Sequence, residues 1–113
     1  MKPLDTEERE ELDWLLEEGA GLLASWDRFP EDPSDPEAIE ASIRAGLADN
    51  PVPDEQVDDA AFALGALLGD ALCAAEGMEW VSLEDGHAIA PTKSKDSRPP
   101  RRIFEEVRQW IRG

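Results

Sequence analysis

Asp54-Glu55-Gln56-Val57-Asp58-Asp59-Ala60-Ala61-Phe62-Ala63-Leu64-Gly65-Ala66-Leu67-Leu68-Gly69-Asp70-Ala71-Leu72-Cys73-Ala74-Ala75-Glu76 is the stretch on which the fold turns. Val57, Ala60, Ala61, Leu64, Leu67, Leu68, Ala71, Leu72 and Ala75 recur at three- and four-residue spacing, which marks one face of a helix. Phe62, Ala66 and Cys73 extend that face round the side. A helix apolar over most of its circumference belongs at the centre of a fold, packed on several sides. Gly65 and Gly69, four apart, let a neighbouring element come close. Asp70 interrupts the apolar run, and a buried unpaired carboxylate is expensive. We therefore expect a structural role for it, bonded to a hairpin or to an arginine of the last helix. An outward-facing Asp70 is the alternative, with a binding role in reserve.

Downstream, Gly77 reads as the helix C-cap. Met78-Glu79-Trp80-Val81-Ser82-Leu83 alternates and predicts a strand. Asp85-Gly86 is a hairpin turn signal, and His87-Ala88-Ile89-Ala90 the returning strand. Residues 91–100 read as a polar, basic loop. After Pro99-Pro100, a helix over Arg101 to Arg112 sets Ile103, Val107, Trp110 and Ile111 on one side.

Upstream, Asn50-Pro51-Val52-Pro53 stops a helix predicted over Pro36 to Ala48, with Ile39, Ile43 and Leu47 at four-residue spacing. Asp35 can cap it, and Pro36 suits the first turn. Pro30, Pro33 and Pro36 make the stretch before it a loop. The first helix is predicted from Asp5 to Trp26. Leu12, Leu15, Leu16, Leu22, Leu23 and Trp26 share its apolar face with Gly19, and Asp5 with Glu8 has the form of a capping box. The expected fold class is α+β and mostly helical: three N-terminal helices, one β-hairpin and a C-terminal helix, packed as one domain over residues 1–113.

From the central helix onward the chain resembles a bacterial family known as domain of unknown function 3806. The resemblance is carried by Leu64-Gly65-Ala66-Leu67-Leu68-Gly69-Asp70-Ala71-Leu72, by Gly77-Met78-Glu79-Trp80-Val81 and by Asp85-Gly86. It extends over roughly residues 60–113 and implies no enzyme activity. Small acidic bacterial proteins of this general kind are often immunity or antidote proteins, and that analogy sets an expectation for function.

The 113 residues carry a formal charge of -16, unevenly spread. Residues 1–90 hold 24 acids and 4 bases, whereas residues 91–113 hold 3 acids and 7 bases. An acidic body repels phosphates, which argues against direct contact with nucleic acid or a membrane surface. The same field speeds encounters with a basic partner. After Met1-Lys2-Pro3-Leu4 the acids begin at Asp5, where a secretory signal would run apolar. The apolar stretch Ala60 to Ala75 is too short to span a bilayer. One cysteine, Cys73, fits a reducing compartment. A cytoplasmic location is the expectation.

No Walker loop, dinucleotide glycine fingerprint, paired-cysteine motif or calcium-loop order is present. Neither catalytic residues nor a cofactor or metal are expected. A hydrolase built on Cys73 and His87 would need both within hydrogen-bond reach plus an orienting group. Cys73 reads instead as an inert thiol in an apolar helix, and His87 as an exposed residue after a turn. Trp26, Trp80 and Trp110 fit core or core-edge positions. Trp14 falls off the main stripe of the first helix, among acids. It is either an interface anchor or a cover for a neighbouring element. The basic residues Lys93, Lys95, Arg98, Arg101 and Arg102 complement the acidic body.

These readings make the chain a protein-interaction module, of the immunity or antidote type, that inhibits a basic protein partner. The candidate interaction surface is Glu7, Glu10, Glu11, Trp14, Glu18 and Asp70. A nucleic-acid mimic that blocks a DNA- or RNA-binding protein is the alternative, the hydrolase a third reading, and a homodimer is left open.

Overall fold

The computed structural model describes residues 2–84, 86–91 and 99–113. In chain order the elements are β1 (Lys2–Pro3), α1 (Thr6–Ser25), α2 (Pro36–Asp49), a 3-10 turn (Asp54–Gln56), α3 (Val57–Glu76), β2 (Met78–Leu83), β3 (Gly86–Pro91) and α4 (Ile103–Arg112). The fold class is the expected α+β.

Local chemistry sets the helix ends. Asp5 caps α1: its carboxylate accepts the Glu8 N–H at 2.8 Å, and Glu8 accepts the Asp5 N–H in return at 3.3 Å. The Asp35 carboxylate accepts the Glu37 N–H at the start of α2, where Pro36 occupies the first turn. Gly77 ends α3 in the left-handed conformation, φ 64°, where a Cβ would be strained. The predicted third helix splits at its start. Residues 54–56 form a 3-10 turn after Pro53, and no side chain caps α3 at Gln56.

α3 is the central element. α1, α2, α4 and the sheet all pack against it. Leu64 and Leu68 of α3 meet Leu23, Ile39, Ile43, Ile89, Ile103 and Val107, each almost completely buried. Full burial of one such aliphatic side chain contributes about 1.5–3 kcal/mol. Glycines let the layers meet. A methyl on Gly19 of α1 would strike the Ala63 carbonyl of α3, and a methyl on Gly65 would stand 2.6 Å from the Phe104 ring.

The sheet has three strands in the order β1-β2-β3, all antiparallel. Trp80 opposes Ile89 and Val81 opposes Ala88. Trp80 and Ile89 face the main core. Val81, Ala88 and Ala90 form a second small cluster with Leu83 on the other face. The sequence reading foresaw the hairpin and missed β1, whose two residues pair with Val81 and Ser82. It also started the last helix two residues early. Arg101 has its backbone committed to Ile89 by two hydrogen bonds of 2.7 and 3.0 Å, so α4 begins at Ile103. Asp85 of the turn and the basic residues Lys93, Lys95 and Arg98 lie outside the described residues. Among the described residues, no helix is long and apolar enough to cross a membrane.

Candidate functional site

α1 and α4 both pack extensively on α3 and, among the described residues, far less on each other. An open groove of about 1370 Å³ runs between them. Asp59, Ala60, Phe62 and Ala63 of α3 line its floor. Glu11, Trp14, Leu15, Glu18 and Leu22 line the α1 side, and Phe104, Glu105 and Arg108 the α4 side. Asn50 to Pro53 and His87 also border it.

The α1 side follows from helical geometry. Glu7, Glu10, Glu11, Trp14 and Glu18 fall within an arc of about 100° at 3.6 residues per turn. The core stripe through Leu12, Gly19 and Leu23 is centred about 150° away, towards the far side of the helix. All five residues are exposed, Trp14 by 58%. None of the four carboxylates has a hydrogen-bond or ion-pair partner among the described residues. Trp14 therefore stands in a field of uncompensated negative charge. With most of its surface open to solvent, the indole is not buried against a neighbouring element.

The α4 side is electrostatically closed. Arg108 reaches Asp58 of α3 at 2.9 Å and also pairs with Glu105. Arg101 holds Glu106 through two bonds of 2.8 and 2.9 Å, which raises the arginine's pKa. Phe62 extends from the floor with 38% of its surface exposed. Its ring meets Phe104 edge-on, 5.3 Å between centroids.

Three expectations need correction. Asp70 is exposed, so the outward placement holds and no arginine of α4 pairs with it among the described residues. It lies outside the groove, one turn before Cys73. His87 is only 29% exposed in its side chain. Its Nε2 sits 2.5 Å from Glu8 Oε2, because β1 ties the start of the chain to the hairpin. Phe62 is a groove residue rather than part of the packed face.

His87 and the backbone N–H of Asp5 hold the Glu8 carboxyl below the usual glutamate range, the Asp5 bond more than the His87 bond. The Cys73 thiol is pushed up to about 11, first by burial and then by the Asp70 carboxylate. A thiol held protonated in this way is a weak nucleophile, and the His87 ring is engaged by Glu8. Among the described residues, no group of three or more His, Cys, Asp or Glu side chains converges as a metal site. What the α1 side of the groove presents is aromatic area beside carboxylates unpaired among the described residues.

Residues 37–92 match the family described as a domain of unknown function (DUF3806). The match takes in α2, α3 and the hairpin. It begins earlier than the resemblance to residues 60–113 implied and stops short of α4. The groove floor thus lies inside the DUF3806 match, and the Trp14 and Phe104 sides lie outside it. No curated protein and no solved structure matches the chain.

Proposed function

We propose that this chain is a protein-binding module that covers a basic surface of a partner protein, in the manner of an antidote or immunity-type inhibitor. The observation that carries this reading is Trp14, exposed by 58% at the centre of an acidic helix face. An exposed indole gains most from burial at a protein interface, where Trp is enriched among the side chains that dominate affinity. The carboxylates around it steer a basic partner and meet its lysines and arginines on arrival. A mimic of nucleic acid needs the charge and has no use for the indole. That asymmetry favours the first reading over the mimic.

The test is capture of partners from host lysate by tagged protein, at low and high salt, beside a variant with Trp14→Ala, Glu10→Gln, Glu11→Gln and Glu18→Gln. One stoichiometric basic protein that stays bound at high salt and is lost by the variant supports the reading. Equal capture by the variant counts against this surface. Release of the captured protein by added duplex DNA favours the mimic.

A further inference from the structure

We infer that the groove between α1 and α4 receives one amphipathic helix of the partner, with large apolar side chains seated on Trp14 and Phe62 and lysines or arginines along the edge that faces α1. This deepens the protein-binding reading and rests on it.

Size points away from a small molecule. Ligand pockets run to about 300–1,000 Å³ and enclose most of their ligand. This groove is open along its length and reaches about 1370 Å³. A cylinder about 10 Å across and about 16 Å long, three turns of helix, has a similar volume.

Main-chain chemistry points away from an extended peptide. Such a peptide needs partners for its own N–H and C=O groups. The floor and the α1 and α4 sides of the groove are helices, whose backbone groups are paired within themselves, and non-helical backbone in the lining is confined to Trp26, residues 50–53, Gly86, His87 and Arg102. The outer edge of β3 is occupied at Ile89 by Arg101. A helix brings its backbone bonds with it and asks only for apolar contact.

Charge then selects the occupant and its orientation. A second copy of this chain would bring another net charge of -16 to an acidic face. Nucleic acid would bring phosphates. On the α4 side Arg108 is already neutralised by Asp58 and Glu105. On the α1 side Glu11 and Glu18 remain unpaired among the described residues. The cationic edge of an incoming helix therefore lies along α1.

The test titrates the full chain, by calorimetry at about 0.5 M salt so that diffuse attraction is screened, with a synthetic leucine–lysine peptide. The peptide has roughly 14 residues, with its lysines along one edge when helical. A control peptide of the same composition has its order shuffled so that no apolar face forms. We expect the amphipathic peptide to bind at least about tenfold tighter than the shuffled one. Trp14→Ala and Phe62→Ala should each weaken it by about tenfold or more. Phe29→Ala, an exposed aromatic outside the groove, should leave binding unchanged. Glu11→Gln with Glu18→Gln removes charge without removing packing, and should weaken binding most at low salt.

Equal binding of the two peptides, or unchanged binding by the Trp14 and Phe62 variants, overturns the groove. A concentration-dependent dimer that Trp14→Ala dissociates overturns it as well, by placing a second copy there. A lysate partner lost with Trp14→Ala but kept with Phe62→Ala would leave the binding module standing and the groove rejected. A wild-type chain that captures no stoichiometric lysate partner and binds no amphipathic peptide would reject the two together.

Discussion

Gly69 of α3 lies so close to the indole of Trp80 that a methyl group at Gly69 would stand 2.5 Å from two of its ring carbons. Trp80 is itself stacked on Phe104, with centroids 5.5 Å apart and planes inclined by 22°. The glycine thus sets the spacing of helix, strand and terminal helix at one point. Gly69→Ala should destabilise the fold by about 1–3 kcal/mol, the usual cost of overpacking a filled core. Gly21, on α1, has nothing within 4 Å of the same position. Gly21→Ala should instead stabilise by about 0.5–1 kcal/mol through helix propensity. Urea midpoints of the two variants beside the wild type check the opposite signs. Loss of stability in both would mean that Gly21 is held by something other than its backbone.

Trp80 makes a second, separable prediction. Its ring is 5% exposed, and its Nε1 has no hydrogen-bond partner among the described residues. Replacement by phenylalanine therefore removes area and no hydrogen bond. Trp80→Ala should cost about 3–5 kcal/mol, as large aromatic truncations do. Trp80→Phe should cost well under half of the same variant's loss. Equal losses for the two would show that the indole N–H is paired in solution.

Helix ends were legible where the sequence carries its own punctuation. Asp5 with Glu8, Asp35 with Pro36, and Gly77 mark ends that the structure places within a residue or two. The acidic face around Trp14 was legible for the same reason, being one helix read at its own period. What the sequence did not show depends on contacts between distant residues. β1 has two residues and no period to read. The bond from His87 to Glu8 joins positions 79 apart. Phe62 reads as core by spacing, and only the packing of α4 at Gly65 shows that its ring is left at the edge of a groove.

The Glu8 carboxylate joins α1 to the hairpin and gives stability a pH dependence. The Asp5 N–H, the His87 ring and the Ser82 side chain lower its pKa from the ordinary 4.5. In the unfolded chain the group takes up its proton first as pH falls. Its contribution is therefore complete above about pH 4.5 and is lost as pH drops through the lower folded value. Glu8→Gln can keep the capping bond and cannot titrate. We expect the stability of the variant to vary less with pH across the acid window, with the two curves converging at the acid end. Parallel curves from neutral to acid pH would show that Glu8 carries none of the acid sensitivity.

Cys73 titrates at the other end of the scale. Burial, and secondarily the negative charge of Asp70, raise its pKa from 9.0 to about 11. The thiolate, not the thiol, reacts with alkylating reagents. At mildly alkaline pH the folded protein should therefore be alkylated about a hundredfold more slowly than the same thiol in the unfolded chain, two pKa units being two decades in thiolate. Asp70→Asn removes the second cause and leaves the first, so it should speed the reaction only in part. The linkage runs opposite to that of Glu8. As pH rises past 9.0 the unfolded chain loses its thiol proton first. Stability then declines towards the folded value, and Cys73→Ala should abolish that decline. Rapid labelling of the folded wild type, at the rate of the denatured chain, would contradict a shielded thiol and restore Cys73 as a candidate nucleophile.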